Sequence, residues 1–276
     1  MNVDSLKNLS MDGKTAVITG STQGLGEAIA HLFADRGVAR MVITGRNAER
    51  GQRVKAALEA KKVETVFVAA DLVKLADVRR IVAACEASFG MIDALVNAAA
   101  LTDRGTIWDT TEARYDELFD ANVKAPFFLM QDALHLMKKT KTSGTIVNIL
   151  SMSGHGGQDF LTAYSTTKGA LATLTRNVAY SVMKYKIRVN GLNIGWMDTP
   201  GEDRIMKTYH DAAQDWLARA EAARPFGRLL KPAEVARATA YLSSGESGLM
   251  TGAIIDFDQQ VLGAGNSTAE PPEAVW

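Results

Sequence analysis

At 276 residues, 47% of them hydrophobic, the chain is long enough to bury a sizeable core as one large domain. Its 31 Lys and Arg balance 31 Asp and Glu, which leaves no basic field to gather nucleic acid or anionic lipid. A lone cysteine, Cys85, excludes an intrachain disulfide framework and a thiolate metal cluster, fits a reducing compartment, and is read as a small buried helix residue.

From Met1 to Asp12 the chain mixes Asp4, Lys7 and Asp12 with isolated leucines, without the basic start and apolar run of a secretory signal. No segment approaches the ~18 uninterrupted apolar residues of a membrane span, so no membrane partner and a cytoplasmic location are expected. Short β-branched runs then alternate with helical patterns: strand Thr15–Thr19 before a helix from Leu25, and strand Met41–Thr44 before a helix from Asn47. Next come strand Val63–Ala69, helix Val78–Ser88, strand Ile92–Val96, a helical stretch between Thr111 and Met137, and strand Thr145–Leu150. Helix Leu161–Tyr185, strand Ile187–Leu192, helix Ala233–Ser243 and strand Ala253–Phe257 complete the series. This alternation predicts a doubly wound α/β fold, with helices on both faces of a parallel sheet. Residues 1–262 read as one domain and 263–276 as a tail, whose Trp276 is expected to fray. The rhythm breaks at Thr199–Arg228, an excursion read as a lid or cap, with Trp216 and Phe226 as its packing anchors.

Thr19-Gly20-Ser21-Thr22-Gln23-Gly24-Leu25-Gly26 joins the first strand to its helix. Glycines here let the backbone turn tightly against a pyrophosphate, and the first free amides of the helix supply donors and partial positive charge. The spacing differs from G-x-G-x-x-G, so that fingerprint is not claimed, and a plain strand-to-helix turn is the alternative. About twenty residues beyond Gly26 stands Arg46, where an acidic residue would bind the ribose hydroxyls of NAD and an arginine accommodates the 2′-phosphate of NADP. NADP(H) is therefore the favoured cofactor and NAD(H) the alternative.

Tyr164 and Lys168 fall four residues apart on a predicted helix, one turn from each other on one face. A neighbouring ammonium is expected to lower the phenol pKa from ~10 towards neutrality, which suits proton transfer. Ser151 lies thirteen residues upstream, at the carboxyl end of a strand, where ligands bind in open parallel sheets and a hydroxyl can steady a substrate oxygen. Ser153 is a rival in the same loop. The four histidines, His31, His135, His155 and His210, show no ligand spacing, so no metal is expected, and no G-x-S-x-G elbow supports a serine hydrolase.

Together these residues resemble the short-chain dehydrogenase/reductase family, from about Gly13 to Leu262. The turn Thr19–Gly26 matches the family's Thr-Gly-x-x-x-Gly-x-Gly motif, and Ser151, Tyr164 and Lys168 match its catalytic triplet in order and spacing. The resemblance implies a three-layer Rossmann-like fold with a sheet of about seven strands in the order 3-2-1-4-5-6-7, assembled as a homotetramer or dimer. It implies NAD(P)-dependent interconversion of a secondary alcohol and a ketone, with Tyr164 exchanging the proton and Lys168 holding the nicotinamide ribose. It further implies that Asn122 holds a water of the proton relay, that Asp71 and Leu72 meet the adenine, that Asn97, Ala98 and Ala99 lie beside the adenosine ribose, and that Thr199 meets the carboxamide. Three departures stand out: Ala100 for a usual glycine, Ile194 for the proline before Gly195, and Asp258-Gln259-Gln260 for Asp-Gly-Gly. The change at Ile194 frees an N–H and is expected to loosen the start of the substrate loop.

Ser153, His155, Gln158 and Trp196 are the candidate substrate contacts, and their mixture of polar and aromatic groups suits a sugar or polyol. A carbonyl or 3-ketoacyl-type reductase of the same family is one alternative. A non-catalytic nicotinamide-sensing protein is another, although a sensor has no need of a tuned phenol.

Overall fold

The computed structural model describes residues 11–262. The expected tail at 263–276, with Trp276, lies outside the described residues.

The strands are β1 (Thr15–Ile18), β2 (Arg40–Gly45), β3 (Glu64–Ala69), β4 (Ala94–Asn97), β5 (Thr145–Ser151), β6 (Arg188–Ile194) and β7 (Ile254–Phe257). Among the described residues they form one parallel sheet, ordered β3-β2-β1-β4-β5-β6-β7 as the resemblance implies. The order reverses between β1 and β4, and a crevice at the carboxyl ends of the strands follows from that reversal. Successive side chains of a strand point to opposite faces. Ala16 and Ile18 thus join Ile29, Phe33, Met41 and Val235 on one face, whereas Val17 joins Val42, Ile81, Leu129 and Ile146 on the other. Both faces are apolar, which explains the near-continuous hydrophobic strands.

Helices α1 (Gly24–Asp35), α2 (Ala48–Glu59) and α3 (Leu75–Phe89) follow the first three strands. Cys85 in α3 is fully buried, as read from the sequence. The long helical stretch after β4 is α4 (Glu112–Phe119) and α5 (Ala125–Thr140), joined by one wide π turn over Asp120–Lys124. Its cause is local: Pro126 has no N–H to return to the Asn122 carbonyl one turn earlier, and the Ala125 N–H donates instead to Asp120 five residues back. Helices α6 (Thr162–Val182), α7 (Pro200–Tyr209), α8 (Trp216–Ala222) and α9 (Pro232–Ser243) complete the fold.

β6 runs two residues further than its pattern predicts. Ile194 pairs with Ser151 on one side and Phe257 on the other, so the strand stays laddered where the freed N–H was expected to loosen it.

The polar residues inside the sheet are chained together. Asn97 Nδ2 donates to Asn148 Oδ1 at 2.8 Å, and Asn148 Nδ2 donates to Thr175 Oγ1 at 2.9 Å, which ties β4, β5 and α6. Asn97 Oδ1 is buried without a partner. Asn148→Ala strips a further buried amide of its partner and should lower the urea-unfolding free energy by about 1–3 kcal/mol; an unchanged midpoint would show that this chain contributes nothing to stability.

Candidate functional site

The site begins where β1 hands over to α1. Gly20 (φ +66°) and Gly24 (φ +56°) adopt left-handed backbone that side chains disfavour. Gly26 is required by contact: a Cβ there would stand 2.3 Å from the Gly20 carbonyl oxygen. Thr19 Oγ1 receives the N–H groups of Ala98 at 3.0 Å and Ala99 at 3.1 Å, which draws the loop after β4 onto the turn. Gly20, Thr22, Gln23, Gly24, Leu25 and Gly26 then line a cleft of about 1360 Å³. This exceeds the ~300–1,000 Å³ of an ordinary small-ligand pocket and gives room for an extended dinucleotide beside a second small molecule. The free amides at the start of α1 suit its pyrophosphate.

At the far end of the cleft stand Arg46 and Arg50, with Asp71 and Leu72 across from β3. Arg50 Nη1 donates to Gln23 Oε1 at 2.5 Å, linking the first turn of α2 to the glycine turn. Gly45 leaves room for Thr22, whose Oγ1 would lie 2.4 Å from a Cβ at that position. Ala98, Ala99 and Ala100 line the middle of the cleft, and the methyl of Ala100 is exposed there.

At the other end Ser151, Tyr164 and Lys168 line the same cleft. Ser151 closes β5, and its Oγ accepts from Ser153 N at 3.2 Å and from Ser153 Oγ at 2.8 Å. Tyr164 and Lys168 rise from the first turns of α6, and Lys168 Nζ lies 5.7 Å from the centre of the phenol ring. That ammonium is nearly fully buried and donates to the Ile149 carbonyl at 2.9 Å. Burial pushes Lys168 down to about 8. Burial also pushes the phenol up to about 12, although a hydrogen bond with Ser151 pulls it back. For the side chains as they stand the phenol is thus raised rather than lowered, with burial the larger cause.

Asn122 sits in the π turn, buried, with Oδ1 accepting from Leu101 N and Nδ2 donating to Leu101 O, each at 2.8 Å, and to Thr167 Oγ1 at 3.2 Å. It thus fixes the loop after β4 to α6.

The excursion after β6 is a cap closed at its base. Met197 bridges Leu230, with Leu230 N donating to Trp196 O at 3.1 Å and Asp198 N to Leu230 O at 3.0 Å. Thr199 caps α7 by accepting from Glu202 N at 3.1 Å, and it lines the cleft opposite Gly24. Trp216 anchors the cap as read from the sequence: it is buried, stacks on Trp196 at 5.9 Å and donates to Asp203 Oδ1 at 2.9 Å. Phe226 does not, because its ring is 74% exposed. Only its backbone is held, by Gln259, whose Oε1 accepts from Phe226 N at 3.0 Å while Nε2 donates to Arg228 O at 2.8 Å. A glycine at 259, the family's usual residue, could make neither bond.

Of the remaining candidates, Ser153, Gln158 and Trp196 line the cleft and His155 does not. His155 Nε2 lies 3.1 Å from Asp256 Oδ1 and 3.0 Å from Asn193 Nδ2, beside a separate cavity of about 200 Å³. Ser21 and Asn97 also turn away from the cleft. Ser21 accepts from Thr44 N at 2.9 Å and donates to Ile18 O at 2.8 Å, and Asn97 is engaged by Asn148. Sequence reasoning missed two residues. Arg104, in the loop after β4, and Glu202, in α7, pair at 3.0 Å inside the cleft. They are far apart in the chain, and no local pattern joins them.

Among the described residues no helix is long and apolar enough to cross a membrane. A family model described as enoyl-(acyl carrier protein) reductase matches residues 20–259. Galactitol 2-dehydrogenase of Agrobacterium fabrum is 32% identical over 247 residues, 87% of this chain and 93% of the relative. A short-chain type dehydrogenase/reductase from Mycobacterium marinum superposes with a TM-score of 0.83 at 27% identity, covering 92% of this chain and 97% of that one. L-sorbose reductase from Gluconobacter frateurii, solved with NADPH and L-sorbose, superposes with a TM-score of 0.86 at 28% identity, covering 93% and 99%.

The buried lysine carries a pH signature. Between its folded value of about 8 and its ordinary 10.5, the unfolded chain holds a proton that folded Lys168 has released. Stability relative to Lys168→Met should therefore rise with pH across that window, on the order of 3 kcal/mol, in paired urea titrations. A difference independent of pH would mean that the ammonium is solvated.

Proposed function

The chain belongs to the short-chain dehydrogenase/reductase family of oxidoreductases, and on that premise we propose that it interconverts a secondary alcohol and a ketone of the sugar or polyol class, with NADP(H) as cofactor. The observation that carries this reading is the meeting of Ser151, Tyr164 and Lys168 in one cleft with the glycine turn.

When bound, the nicotinamide supplies or accepts the hydride. Gly20, Thr22, Gly24, Gly26 and the amides opening α1 would hold the pyrophosphate, and Ala98, Ala99, Asp71, Leu72 and Thr199 complete the lining. Tyr164, kept protonated by burial, donates its proton to the carbonyl oxygen in reduction and recovers it in oxidation. Ser151 donates to the same substrate oxygen, and Ser153, in contact with its hydroxyl, keeps it in place. Lys168 anchors the floor of the site through Ile149 and would hold the nicotinamide ribose. The Asn122 carbonyl, which Pro126 cannot engage, would hold a relay water. The polar lining of Ser153, Gln158 and Glu202 favours a hydroxylated substrate, in line with relatives named for galactitol and L-sorbose.

NADP preference rests on Arg46 and Arg50, which line the cleft beyond the glycine turn. In steady-state assays NADP should have a KM at least about tenfold below that of NAD, and Arg46→Ala should raise the NADP value by about 10- to 100-fold, the worth of a charge-assisted hydrogen bond. A wild-type preference for NAD would reverse the cofactor assignment. Tyr164→Phe should bind NADPH with unchanged fluorescence titration yet lose about 100- to 10,000-fold in kcat; turnover within a few-fold of wild type would remove Tyr164 from the chemistry.

A further inference from the structure

The Arg104–Glu202 pair is built beyond what a simple latch requires. Glu202 Oε1 accepts two bonds, from Arg104 Nη2 at 3.0 Å and from Trp196 Nε1 at 2.9 Å. Arg104 is fixed in turn: Nη1 donates to Thr102 O at 3.0 Å, Nε lies 3.2 Å from His210 Nε2, and the guanidinium rests 5.7 Å from the Phe160 ring centre. Glu202 Oε2 takes no hydrogen bond from any described residue, although both members of the pair are largely buried and line the cleft. Both also lie within electrostatic reach of the Tyr164 phenol.

An oriented carboxylate with one committed oxygen and one open oxygen is an acceptor site. The guanidinium beside it balances its charge, so the site does not recruit a cation. It discriminates among neutral partners by hydrogen bonding. A hydroxyl is the donor that a sugar or polyol offers near its reacting carbon. An alcohol without a second hydroxyl would bury Oε2 unpaired, and sites built to bond a hydroxyl reject analogues that lack it.

We infer that Glu202 is a specificity-determining residue, whose Oε2 accepts a hydrogen bond from a second hydroxyl of a neutral polyhydroxylated substrate while Tyr164 serves the reacting one. The inference rests on the oxidoreductase reading and names the group that selects the substrate class. Arg104 and Trp196 are then positioning residues, which act by aiming the carboxylate.

The test compares 2,3-butanediol, each stereoisomer separately, with 2-butanol. These share a carbon skeleton and differ by one hydroxyl. In NADP-dependent oxidation the wild type should prefer at least one diol isomer in kcat/KM by about tenfold or more. Glu202→Gln, close in volume, should collapse that ratio towards one, chiefly by raising the diol KM. Trp196→Phe, which removes one aiming bond, should shift the ratio the same way by less. Calorimetric titration of the same alcohols into the protein with NADPH reads the preference without turnover, and Glu202→Gln should weaken diol binding selectively. Equal losses for diol and mono-alcohol in Glu202→Gln, or no diol preference in the wild type by either method, would overturn the inference. Turnover retained in Tyr164→Phe would instead strike the proton-transfer reading, with the diol ratio still reporting on Glu202.

Discussion

The hydrogen bond from the Lys168 ammonium to the Ile149 carbonyl, beneath the sheet's carboxyl edge, sets the register of the site. A buried cation is costly unless it is engaged, so α6 settles where that carbonyl is within reach. Ile149 lies two residues before Ser151 on β5, and Tyr164 lies one helical turn before Lys168. That bond, with the Asn148–Thr175 bond further along, fixes the helix that carries the phenol against the strand that carries the serine. Gly154 and Gly169 complete the contact by letting the two backbones approach, since a Cβ at Gly154 would stand 3.2 Å from Gly169 N.

Desolvation dominates this region. It drives the lysine towards its neutral form and holds the proton on the tyrosine. A phenol that keeps its proton is the form required of an acid, and Ser151 is the neighbour that eases the proton's release. Spacing along a helix shows that a cation and a phenol share a face, but not how far both are withdrawn from water, and here burial sets the direction for each. The same low-dielectric setting strengthens the polar contacts that remain, including those of Asn122 and the chain through Asn97 and Asn148.

What could be read from the chain divides along physical lines. Strands buried on both faces announce themselves as β-branched runs, and the glycine turn is legible because contacts at Gly26 tolerate nothing larger. Ser151, Tyr164 and Lys168 are legible because a strand end and a helix turn fix their spacing. Side-chain direction was not legible. Ser21 and Asn97 occupy motif positions yet spend their hydrogen bonds inside the fold, and His155 serves the β6 and β7 edge rather than the cleft. Neither the wide turn at Asn122 nor the Arg104–Glu202 pair was legible, the first because it depends on a missing amide hydrogen and the second because only the closed cap brings its partners together.

The pinched base of that cap, where Met197 meets Leu230, separates two jobs along the chain. Residues between the pinch points roof the cleft, whereas β5 and α6 bring Ser151, Tyr164 and Lys168 to it from outside the cap. The enclosed stretch contributes no strand to the sheet. The segment is where one scaffold can be re-addressed to new molecules, provided that Thr199, which lines the cleft beside Gly24, is kept.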